Sequence, residues 1–153
     1  MHLKQIIDES FGDYKQASML LVVPECTWKC KGCQNTHLAE LETKNFPDEE
    51  IWGRYEKNAI TSAIVMGGLE PFCNMDEVVS FIDAGVARGQ DTPIIIYTGY
   101  DISITSDSFI QAAQRYRGQI LVKFGRYIPN MPKVYNKHLG VFLASPNQYV
   151  VIF

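Results

Sequence analysis

The chain has 153 residues, enough for one domain with a substantial core, and its 46% hydrophobic and 20% charged residues exclude a disordered polymer. A formal net charge of −3 argues against a mainly electrostatic nucleic-acid binder, which needs clustered Lys and Arg. No run approaches the ~20 apolar residues of a membrane helix. The opening MHLKQIIDES turns acidic before any long apolar core, so the chain reads as cytoplasmic, with no secretory signal and no membrane partner.

In chain order, an apolar strand at 19–23 leads into a cysteine-rich loop. A helix at 47–57 follows, with Pro47 and the acids Asp48, Glu49 and Glu50 in its first turn. A strand at 63–66 ends in Gly67-Gly68. A helix at 75–88 then places Met75, Val78, Val79, Ile82 and Val86 on one face, with Asn74 and Glu77 as a capping pair and Gly89 as its stop. A strand at 94–97, a helix at 107–117 and strands at 120–122 and 141–144 complete the pattern. Continuous apolar strands alternating with helices predict α/β architecture with a mostly parallel sheet and right-handed crossovers. Without repeat, low-complexity tract or linker, residues 1–153 form a single domain. A complete (β/α)₈ barrel takes ~250 residues, so any barrel here is partial and open-sided, with room for a large substrate.

Three of the four cysteines, Cys26, Cys30 and Cys33, stand in a C-x₃-C-x₂-C loop after the first apolar strand, and Cys73 stands alone. Thiols this crowded in a cytoplasmic chain are metal ligands or redox groups more often than disulfide partners. Three thiolates can hold three irons of a 4Fe-4S cubane and leave the fourth iron open to a chelating substrate, whereas an electron-transfer cluster normally has four protein ligands. A Cys₃His zinc site that recruits His37 and a set of inert buried thiols are the competing readings. Cys73 reads as a small buried hydrophobe.

This loop resembles that of the radical S-adenosylmethionine (SAM) superfamily. The form Cys30-Lys31-Gly32-Cys33-Gln34-Asn35 is similar to that of anaerobic ribonucleotide reductase activating proteins, which favour C-x-G-C-x-N and are also short. The resemblance implies a partial, open (β/α) barrel of the radical SAM type. It implies a 4Fe-4S cluster on Cys26, Cys30 and Cys33, with SAM as cofactor. Gly67-Gly68-Leu69-Glu70 resembles the GGE motif that engages the SAM amine. The inserted Leu69 leaves open whether the Glu70 carboxylate or the Gly67-Gly68 backbone does so here. Tyr97-Thr98-Gly99-Tyr100 is similar to the YTGY strand end of the activating proteins and offers Tyr97 and Thr98 to SAM. Lys123 stands where the family usually carries an acid, either pairing with the SAM carboxylate or snorkelling from a strand end. Trp28 shields the cluster or packs on adenine. Asn147-Gln148 resembles a weaker block and reads as a turn, and the usual glycine-rich start is replaced by Ser10-Phe11-Gly12-Asp13-Tyr14.

The activity so implied is reductive cleavage of SAM to methionine and a 5′-deoxyadenosyl radical, which takes the Cα–H of one glycine in a partner. The partner would be a glycyl radical enzyme, anaerobic ribonucleotide reductase first among them. The electron would come from an external one-electron reductant such as flavodoxin or ferredoxin. A radical SAM enzyme acting on a small molecule or peptide, and a non-catalytic zinc or Fe-S module, are the alternatives.

Overall fold

The computed structural model describes residues 1–153. In chain order its elements are β1 (His2–Leu3), β2 (Gln5–Ser10), β3 (Ser18–Val22), β4 (Lys44–Asn45), α1 (Asp48–Glu56), β5 (Ala63–Gly67), α2 (Met75–Ala87), β6 (Ile94–Tyr97), α3 (Asp107–Arg115), β7 (Ile120–Phe124), β8 (Val134–Asn136), β9 (Val141–Leu143) and β10 (Tyr149–Ile152). A six-stranded sheet runs β10-β7-β6-β5-β3-β2. Its central strands β3, β5, β6 and β7 are mutually parallel and adjacent in chain order, while β2 and β10 are antiparallel edges.

Side-chain alternation divides the sheet into two faces. On one, Met19, Leu21, Ile64, Met66, Ile94, Ile96, Ile120 and Val122 join side chains from all three helices in one core. The opposite face carries Ala63, Val65, Ile95 and Leu121, covered by Tyr14, Leu139 and Leu143. Burial on both sides explains the unbroken apolar runs. It also leaves the loops at the carboxyl ends of β3, β5, β6 and β7 along one rim.

Three expectations need correction. The 141–144 run is not a strand of the central sheet: β9 pairs only with β8, in a hairpin whose Phe142 is 64% exposed. Both antiparallel edges went unforeseen: β2 is half polar, and the apolar Tyr149–Ile152 run that forms β10 was not singled out. The Asn74–Glu77 capping pair does not form. Asn74 caps nothing, and Glu77 accepts instead from the backbone N–H of His2 at 2.8 Å and pairs with its ring.

Candidate metal centre

The rim gathers the candidate residues around one cavity of ≈ 480 Å³. Cys26, Trp28, Cys30 and Cys33 enter from the loop after β3, Gly67, Gly68 and Glu70 from the end of β5, Tyr97 and Thr98 from β6, and Lys123 from β7. Progressive strand order places these distant segments side by side at matching strand ends.

The cysteine loop turns through left-handed backbone at Lys29 (φ 45°) and Gly32 (φ 71°). That conformation suits glycine and is costly for a side chain, so Gly32 fits the reversal before Cys33. Two of the three loop sulfurs accept an N–H hydrogen bond. Asn35 N–H donates to Cys33 Sγ at 3.4 Å, and Arg126 Nε–H donates to Cys30 Sγ at 3.3 Å. Burial pushes the Cys26 thiol up, and a Trp28 backbone N–H opposes this by favouring the thiolate. Donors aimed at sulfur favour thiolates and, in clusters, tune the metal. No three His, Cys, Asp or Glu side chains converge on a single ion. A tetrahedral zinc would hold its sulfurs within about 4 Å of one another, and His37 is exposed and outside the cavity. Cubane ligands bind separate irons and need not converge on one ion, and all three thiols line the one cavity, so this donor set fits a 4Fe-4S cluster.

Glu70 is 3% exposed, and its carboxylate is the junction of the rim. Oε1 accepts from Thr98 Oγ1 at 2.6 Å and from Phe72 N–H at 3.1 Å. Oε2 accepts from Gly99 N–H at 2.7 Å and Trp28 Nε1–H at 2.9 Å. Four donors match the roughly four acceptor sites of a carboxylate. The cysteine loop, the β5 turn and the end of β6 are thus fastened through one side chain. Gly99 makes room for this: a Cβ there would stand 2.8 Å from Trp28 Nε1. Gly67 and Gly68 present backbone alone to the cavity, and at Gly68 (φ 78°) a Cβ would strike Val22 Cγ1 at 2.8 Å.

Lys123 does not snorkel. It is 7% exposed, and Nζ–H donates to the carbonyls of Thr98 at 2.9 Å and Gly125 at 3.2 Å. Burial pushes its ammonium down to about 8, against the attraction of Glu70. No carboxylate lies within ion-pair distance, so one N–H of a buried cation stays available to an anionic ligand. Tyr97 donates its hydroxyl to the Asp13 carbonyl at 2.6 Å, and burial holds that hydroxyl far above its usual range. Thr98 spends its hydroxyl on Glu70 and on the N–H of Tyr100.

Arg126 was missed as a site residue. Besides donating to Cys30, it donates to the Trp28 carbonyl at 2.8 Å and lies 5.2 Å from that indole centroid. Asn147 Nδ2–H donates to the Arg126 carbonyl at 2.9 Å, and Gln148 Nε2–H to that of Gly125 at 3.1 Å, so the 147–148 turn steadies it. Cys73 is half-buried, with Thr27 Oγ1 4.0 Å from its sulfur.

A family model described as a 4Fe-4S single cluster domain matches residues 16–133, spanning the cysteine loop and the whole parallel sheet. No curated protein and no solved structure matches the chain significantly. No helix is long and apolar enough to cross a membrane.

Proposed function

Because the chain belongs to the 4Fe-4S single cluster domain family, we propose that it is a radical SAM enzyme that activates a glycyl radical partner, anaerobic ribonucleotide reductase being the first candidate. When bound, the cluster supplies one electron to the sulfonium of SAM, which yields methionine and a 5′-deoxyadenosyl radical. The observation that carries the reading is that three thiols, a bare glycine backbone and an unpaired buried ammonium face one cavity.

Cys26, Cys30 and Cys33 would hold the cluster, and a cluster with three cysteine ligands would keep one iron open to a chelating ligand such as SAM. Gly67-Gly68 lets the methionyl part approach the backbone, and Lys123 meets its carboxylate with a charge-assisted hydrogen bond. Trp28, tilted against Tyr100 with ring centroids 4.6 Å apart, walls the loop side against water. Singly wound β3-β5-β6-β7 with its helices on one face supports an open, partial (β/α) barrel. An open side suits a macromolecular substrate, whose glycine Cα–H gives up its hydrogen atom. The electron would come from a flavodoxin or ferredoxin.

The test is anaerobic reconstitution followed by incubation with reductant, SAM and an anaerobic ribonucleotide reductase. The expected result is 5′-deoxyadenosine together with a glycyl radical EPR doublet on the partner, both abolished by Cys30→Ala. Cleavage stimulated by a small molecule, with no doublet on any partner, would remove the activase reading. Zinc without iron in the anaerobic protein would remove the enzyme reading.

A further inference from the structure

All 17 acidic residues lie at or before Asp107, whereas Ser108–Phe153 holds six Lys or Arg and no acid. Part of this asymmetry reaches one surface, where Lys133 and Lys137 join Lys15, Lys29 and Lys31 from the acid-containing half of the chain. On the helical side, arginines are paired: Arg54 with Asp8, Arg88 with Glu56, Arg115 with Asp83. Around the cavity mouth, exposed lysines have no carboxylate partner. Lys29 and Lys31 flank Cys30, Lys133 lines the wall, Lys137 stands in the β8–β9 turn, and Lys15 lies against Gly140 of that turn.

The same hairpin and the segment leading into it also expose apolar side chains. Met131 is 45%, Tyr135 57% and Phe142 64% exposed, and Tyr135 and Phe142 meet across the strands with centroids 5.3 Å apart. Met131 and Phe142 also line the cavity, so the patch continues into the site. Aromatic and Met residues with acids depleted mark protein interfaces, and grouped exposed apolar residues mark interaction sites. Each hairpin strand pairs only with the other, which leaves outer edges for an extended segment.

We infer that the β8–β9 hairpin and the unpaired lysines beside it dock an acidic, partly apolar polypeptide segment of a partner protein and feed it toward the cavity. That the segment is then a radical substrate rests on the function proposed above; the docking does not. A polypeptide fits better than a nucleic acid. Phosphate contacts call for Lys and Arg in place of Met131, Tyr135 and Phe142, and the acidic remainder of the chain repels a long polyanion.

The test uses the anaerobically reconstituted protein and three fluorescent probes. These are an extended glycine-containing peptide with interleaved Asp, Glu, Leu and Phe, its Lys-substituted counterpart, and an oligothymidylate of equal charge. The acidic peptide should bind best, and binding should weaken as salt is raised past the Debye-screening regime. Lys137→Glu combined with Tyr135→Ser, neither in the cavity wall, should weaken it about tenfold. Lys57→Glu, on the helical side, should not. Partner-free SAM cleavage should be unchanged in the double variant. Preference for the oligothymidylate or the basic peptide overturns the inference, as does binding indifferent to the double variant. A wild-type dimer dissolved by that variant would place a second copy here and overturn it too. Loss of SAM cleavage in the wild type with peptide binding intact would condemn the proposed function alone.

Discussion

Glu70 shows how one side chain can serve a site without facing its ligand. Its four acceptor positions are taken by Trp28, Phe72, Thr98 and Gly99, so it holds the rim in shape while the glycine backbone beside it stays open. Glu70→Ala leaves these donors without their partner, at about 1–3 kcal/mol for each one kept from water. The expected outcome is lower iron incorporation and a lower unfolding midpoint, read by iron analysis and chemical denaturation. Unchanged iron content would remove Glu70 from this role. Arg126 donates to Cys30 Sγ, and under the proposed function it acts on the cluster through that sulfur. Arg126→Gln withdraws a positive donor from Cys30 and should lower the cluster potential, since positive charge near sulfur favours the reduced state. At the parent's midpoint the reduced-to-oxidised ratio should fall about tenfold, ~59 mV for one electron, in an anaerobic redox titration. Lys123 gives a pH signature. With its ammonium at about 8 in the free protein, the cation is present below that pH and lost above it. A bound carboxylate favours the charged form, so SAM affinity should fall as pH rises through about 8, and Lys123→Met should flatten that profile in calorimetric binding.

Elements were legible in proportion to their burial. β3, β5, β6 and β7 lie between two apolar layers, so continuous hydrophobic runs mark them. β2 and β10 have one partner each; β2 is half polar and hard to separate from a loop, whereas the Tyr149–Ile152 run of β10 carries an apolar, β-branched strand signal that was overlooked. The run containing β9 misleads for the opposite reason: its apolar Phe142 faces outward, and composition does not say whether a hydrophobic side chain meets a core or a partner. Helix ends divide likewise. Ser106 caps α3 by accepting from Phe109 N–H at 3.2 Å, while Glu77 answers to distant His2. Trp52 of α1 anchors the helical layer, fully buried, stacked on Phe81 at 4.8 Å and donating to its carbonyl. Trp52→Ala should cost about 3–5 kcal/mol in urea unfolding, the range for deleting a large buried aromatic. A loss below about 1 kcal/mol would mean that α1 contributes little to the core.

At the scale of the molecule, the fold works as a one-sided scaffold: helices seal one face of the sheet, and strand ends and loops build a cavity at its rim. The residues of that cavity could be named from local motifs, because cysteine spacing and glycine pairs are written within a few positions. How they divide the work could not, because the decisive contacts join Trp28, Glu70, Gly99 and Arg126 from four separate segments. The account stands on a cluster held by three cysteines whose remaining iron takes SAM. Electron–nuclear double resonance on the reduced, anaerobically reconstituted protein, with SAM labelled at its amine nitrogen and carboxylate oxygen, tests this most directly. The account predicts hyperfine coupling from both labels to the cluster. A cluster signal that shows neither coupling and does not change when SAM is added would contradict it.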